Sequence, residues 1–179
     1  MERKSKGIGV TVGIGAAIGI SMLGLLAVLN RKDQNVGLNQ EIQYDDFAFS
    51  VQSVRKATSL GSGEFRNNAH GMYYIVTLKI ANHAKRVDYR FKMSSPRLVD
   101  VEEKEFPVSV YGQQALESVM GKQCSSPIPA GASCVTELVF DLPSDAELKR
   151  FRISEGGLVG DLLDVVFFGR KTIELSSIQ

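Results

Sequence analysis

The run Met72-Tyr73-Tyr74-Ile75-Val76-Thr77-Leu78-Lys79-Ile80-Ala81-Asn82 decides the fold. It is dense in β-branched and aromatic residues, and its alternation sets Tyr74, Val76, Leu78 and Ile80 on one face. That is the pattern of a strand with one side buried against a second layer. Asn82-His83 then reads as a turn.

Weaker copies of the same signal lie on both sides. Phe47, Phe49, Val51 and Val54 nearly alternate with polar residues until Arg55-Lys56 close the run, and residues 57–71, rich in Ser, Gly and Asn, read as a loop. Downstream, short strands are expected at Val87–Phe91, Arg97–Val101 and Phe106–Val110, with Glu102–Lys104 as a charged turn. Residues 111–127 are ambiguous, with one helical turn near Gln113–Ser118, and Pro127–Gly131 is a turn. Cys134–Leu142 alternates again, and Lys149–Ile153 and Val165–Leu175 complete the set, the last broken at Gly169. Seven or eight short strands separated by turn residues predict an all-β antiparallel sandwich.

The N-terminus has another character. Gly7 to Leu29 is 23 residues without a charge. At about 1.5 Å per residue a helix of that length covers a hydrocarbon core of roughly 30 Å. The stretch is longer than the apolar core of a cleaved signal peptide and ends without a small-x-small site, so a retained transmembrane helix is expected. Three Lys/Arg precede it and two follow, which places the N-terminus in the cytoplasm and the domain outside. The resulting division is a cytoplasmic tail 1–6, a transmembrane helix 7–29, a linker 30–43 and a domain 44–179. The glycines at 7, 9, 13, 15 and 19 resemble a phosphate loop, but no strand precedes them and no βαβ unit surrounds them. Gly9, Gly13, Ala17 and Ser21 recur every four residues and form a small-residue ridge suited to helix–helix packing, with a homodimer or another membrane protein as the partner. Glycine is also common in membrane helices for reasons of composition alone.

Charge narrows the partners. Residues 1–32 hold five basic residues and one acid, leaving 16 basic and 19 acidic for the rest, a net of −3. A mildly acidic domain is not the footprint of a nucleic-acid binder. Within it, Lys85, Arg86, Arg90 and Lys92 crowd one segment with Tyr89 and Phe91 interleaved. They form either a patch for an anionic ligand, such as a lipid headgroup or an acidic wall polymer, or a solvated edge hairpin.

Catalytic and metal motifs are missing. No His-Glu-x-x-His, Gly-x-Ser-x-Gly or P-loop pattern occurs. His70 and His83 have no nucleophile or orienting acid at a recognisable spacing, so neither is expected to act as a general base. Asp45-Asp46 and Asp141 offer oxygen ligands for calcium, but as turn caps or solvated side chains they need none. Copper(I) would want closely spaced Cys and Met, which two cysteines and five scattered methionines do not provide. No enzyme activity and no cofactor are expected. The two cysteines, Cys124 and Cys134, leave one internal pairing, and outside the cytoplasm thiols tend to be oxidised. Ser125–Ser133 contains two prolines and a glycine, which lets the chain reverse. A disulfide is expected, the other reading being two separate thiols.

The order Val51-x-x-Val54-Arg55-Lys56, glycine-rich loop, Tyr73–Asn82, Arg97–Asp100 with Phe106-Pro107, then Ile128–Gly131 and Val139–Pro143 carries a resemblance. Over residues 36–175 the chain resembles a bacterial extracytoplasmic immunoglobulin-like family of unknown function. Its members are lipoproteins and membrane-anchored proteins, similar in fold to a mycobacterial secreted immunogenic protein. The resemblance implies an immunoglobulin-like β-sandwich and no catalytic or ligand residue. Glu102-Glu103-Lys104 stands where the family more often has a glycine-containing turn. The expected function is a non-catalytic binding or structural module displayed on a membrane; the alternative is an accessory subunit of a membrane complex, recruited through the transmembrane helix.

Overall fold

The computed structural model describes residues 34–124, 126–153 and 171–175. The expected span 7–29 with its small-residue ridge, residues 30–33 of the linker and 165–170 of the last strand lie outside the described residues. Among the described residues no helix is long and apolar enough to cross a membrane.

The described residues fold as a β-sandwich with one α-helix. One sheet has four strands in the order β2 (Ile42–Tyr44), β3 (Phe47–Leu60), β4 (Asn67–Asn82) and β7 (Ser133–Leu142). The other has five: β1 (Gln34–Val36), β9 (Lys171–Glu174), β8 (Leu148–Ile153), β5 (Pro96–Asp100) and β6 (Glu105–Pro107). The alternation expected for β4 is realised: Tyr74, Val76, Leu78 and Ile80 point between the sheets, with Phe49, Phe140 and Phe151 in the same core. Phe140 meets Phe151 edge to face at 6.2 Å, joining the two layers.

Six expectations change. The linker is structured from Gln34, because Val36, Leu38 and Ile42 have apolar surface to bury against the core. Residues 57–71 are mostly strand, since β3 runs to Leu60 and β4 starts at Asn67. That hairpin carries a second, smaller cluster on the outer face of its sheet, where Tyr73, Ile75, Leu116 and Val139 pack with Ala57, Leu60 and Ala69. Val87–Phe91 is not a strand; only Tyr89 pairs, with Ile128, in an isolated bridge. β6 stops at Pro107 because Ser109 caps a helix, and the expected single helical turn is the 11-residue α1 (Val110–Met120). The pairing is not antiparallel throughout, since β1 runs parallel to β9.

The Glu102–Lys104 turn is built without glycine. Glu103 takes a left-handed φ of 67°, a conformation that costs a side chain roughly 1–2 kcal/mol. The turn is held by Asp100, whose Oδ1 accepts from the amides of Glu102 at 3.0 Å and Lys104 at 2.8 Å. Lys149 and Arg150 donate to the Glu103 carboxylate and hold it below the ordinary carboxylate range.

Candidate functional site

β7 is an edge strand, and an open edge invites another chain. Here the middle of the edge, at Glu137 and Val139, is covered by one backbone amide and two side chains. Ser109 N donates to Val139 O at 2.7 Å. Its own hydroxyl accepts from Gly112 N at 3.2 Å and starts α1. Gln113, 8 % exposed, receives Val139 N–H at Oε1 (3.1 Å) and donates through Nε2 to Glu137 O (3.1 Å). Gln123 Oε1 takes Glu137 N–H at 2.7 Å. Two glutamines therefore stand in for a missing neighbour strand. The helix sits close because residue 112 is glycine: a Cβ there would lie 2.6 Å from Val139 Cγ1.

Between α1, the segment after it and the side of the sandwich runs a groove of about 710 Å³. Phe91, Met93, Val108, Val110 and Leu116 give it apolar walls, and Arg97 and Lys122 stand among its polar residues. Its volume is that of a small-molecule site, and apolar walls with a few polar groups suit an amphipathic ligand or an apolar segment of a partner. Met93 and Val110 are 37 % and 64 % exposed, so the apolar surface is open to solvent. Sequence reading did not single out Gln113, Gln123 or this groove.

Cys124 is one of the groove's lining residues, and the structure joins it to Cys134, with 5.7 Å between the Cα atoms. The bridge ties the segment after α1 to the start of β7. Ile128, buried in the same connection, pairs with Tyr89 through two backbone bonds of 2.9 and 2.7 Å.

The four expected basic residues fall together. Lys85, Arg86, Arg90 and Lys92 are all exposed on the connection between β4 and β5. Asn82, buried at the end of β4, organises that connection: its Nδ2 donates to Val87 O and Ile128 O, and its Oδ1 accepts from Ala84 N.

His70 is not in a loop but on β4, with Nδ1 2.8 Å from Asp141 Oδ2. The same carboxylate accepts from the backbone amides of His70 and Gly71, so Asp141 ties the strand ends together. Ser144 lines a shallow recess together with His70 and Asp141, but no hydrogen bond joins it to His70 among the described residues. A nucleophile and base in contact are thus not found at this His–Asp pair. Burial, and then the Asp141 charge, push the neighbouring Tyr73 hydroxyl up, keeping it a donor. Asp45 occupies the β2–β3 turn with φ 52°, and His83, exposed, donates its backbone N–H to Asp46 O. Among the described residues no three His, Cys, Asp or Glu side chains gather as a metal site would require.

The model of a domain of unknown function, DUF4352, matches residues 36–161. No curated protein matches. Among solved structures, the chain is similar to the secreted protein MPT63 from Mycobacterium tuberculosis, at 12 % identity and TM-score 0.56, covering 82 % of this chain and 100 % of that one. It is similar also to the yjhA protein from Bacillus subtilis, at 10 % identity and TM-score 0.54, with coverages of 78 % and 99 %. A conserved hypothetical protein from Bacillus anthracis is similar at 12 % identity and TM-score 0.52, with coverages of 66 % and 88 %. At these identities the likeness is one of fold.

Proposed function

The chain belongs to the DUF4352 family of domains of unknown function, and from that premise we propose that it is a non-catalytic binding module, an immunoglobulin-like sandwich held outside the cytoplasm by its N-terminal helix. The observation that carries the binding role is the groove beside α1, apolar in its walls and open to solvent. Three features support the tether and the compartment: the 23 uncharged residues from Gly7 to Leu29, the basic bias before them, and the Cys124–Cys134 bridge, which belongs in an oxidising environment. The second reading, an accessory subunit recruited by helix packing, is supported by the ridge Gly9, Gly13, Ala17 and Ser21.

The groove is tested with an apolar anion, 8-anilinonaphthalene-1-sulfonate, titrated into the full chain in lipid nanodiscs with empty discs subtracted. Saturable fluorescence is expected. Met93→Asp with Val110→Asp puts two negative charges on exposed positions of the groove and is expected to weaken the probe about tenfold, roughly 1.4 kcal/mol, without moving the melting temperature. Equal binding by both proteins contradicts the groove as the site.

A further inference from the structure

The sheet register places the start of β1 beside the basic connection. Gln34 pairs with Lys171 on β9, Thr172 with Arg152 on β8, and Ile153 with Pro96 on β5. Gln34, Lys171, Ile153 and Pro96 thus lie in one row at one end of the five-stranded sheet. Thr172 Oγ1 donates to Asn35 Oδ1 at 2.7 Å and fixes β1 in that place. The four-stranded sheet ends at the same level: Tyr44 pairs with Phe47 and Phe47 with Asn82, and the Tyr44 hydroxyl donates across to the carbonyls of Ile153 or Lys171 at 3.4 and 3.2 Å. The chain between Asn82 and Pro96 therefore leaves and re-enters the sandwich at the end where β1 begins.

This end carries the exposed cations Lys85 and Arg86, with Arg90 and Lys92 farther along the same connection. No ion pair engages any of the four among the described residues. The acids near them are Asp88 on the connection and Asp45 and Asp46 in the β2–β3 turn, so basic charge exceeds acidic here although the domain as a whole is acidic. Between the cations, Val87 is 60 % exposed. Only residues 30–33 separate the uncharged stretch from Gln34, so Leu29 lies within roughly 18 Å of Gln34 at full extension.

We propose that the connection Lys85–Lys92 is a lipid-docking surface, which lays the anchored domain against anionic phospholipid headgroups with Val87 at the contact. This rests on the tether reading. Charge complementarity selects the surface, since basic residues within a Debye length of an anionic leaflet are attracted to it. Position favours a membrane over a soluble acidic polymer, because the same end receives the chain from the apolar stretch. Docking fixes how the groove is presented, since Phe91 and Met93 of the same connection line it.

The chain has no tryptophan, so Val87→Trp gives a single reporter. The full chain is reconstituted in nanodiscs of phosphatidylcholine alone or with phosphatidylglycerol. Emission at shorter wavelength is expected in the anionic discs, with the shift lost at about 1 M salt, where the Debye length is near 3 Å. It is also expected to be lost with Lys85→Glu plus Arg86→Glu. Val101→Trp, exposed at the opposite end of β5, is expected to emit alike in both discs and controls for the fold. Identical emission from residue 87 in the two lipids overturns the docking. A shift produced by soluble polyglutamate and not by anionic discs also overturns it, assigning the patch to an acidic polymer. Extraction of the chain from membranes by alkaline carbonate reads the tether separately, so failure of the anchor and failure of the docking give different results.

Discussion

Opening the Cys124–Cys134 bridge, by reductant or by Cys124→Ser with Cys134→Ser, is expected to lower stability by roughly 2.7 kcal/mol. The bridge closes a sequence separation of 10, and a crosslink of that length removes about this much conformational freedom from the unfolded chain. For a domain of this size the melting temperature should fall by about 10 °C. The effect reaches the groove, because Cys124 lines it and the adjacent Gln123 takes the Glu137 N–H. Loss of the bridge frees that segment, uncovers part of the β7 edge and weakens the apolar probe. Thermal melts of the full chain with and without reductant check this; coincident curves contradict a structural role for the bridge.

Replacing Gln113 with Leu is expected to cost a similar roughly 2–3 kcal/mol. Leucine has nearly the volume of glutamine, so little packing is lost. Val139 N–H and Glu137 C=O lose their side-chain partner, and a buried backbone group left unpaired costs about 1–3 kcal/mol. Concentration-dependent association should follow, since an uncovered strand edge is a template for another strand. Gln114→Leu changes the exposed neighbour on the same helix and is expected to leave stability within about 0.5 kcal/mol of the parent. Chemical denaturation of the two variants measures the difference, and equal midpoints would show that Gln113 does not cap the edge.

The central strands were legible because their side chains alternate between a core and a wetter face. Met72–Asn82, Cys134–Leu142 and Lys149–Ile153 fall on β4, β7 and β8 for that reason. The outer half of the β3–β4 hairpin was not legible. Its residues extend past the main core, so Ser59, Asn67 and Asn68 carry no apolar period, and pairing across the hairpin holds them extended. The helix was hidden by its own first residues: Val108-Ser109-Val110-Tyr111 alternates like a strand, and glycine follows at 112. That glycine is required by the approach of α1 to Val139 and Tyr73, a contact between residues distant in sequence. The strands β1 and β2 are three residues each, too short to show a period in the polar stretch that contains them. Of the site, the cysteine pair and the basic residues could be read, because cysteine count and charge are properties of the chain. The groove could not, since Phe91, Val108, Leu116 and Cys124 come together only through the fold.

The proposed display of this domain outside the cytoplasm is tested most directly by labelling intact spheroplasts with a membrane-impermeant, amine-reactive biotin. Lys104 and Lys122 are exposed on the domain, away from the Lys85–Lys92 connection. The predicted result is biotin on both lysines before lysis, with a cytoplasmic marker protein unlabelled. Labelling of Lys104 and Lys122 only after the membrane is broken would contradict the tethered, outward-facing module.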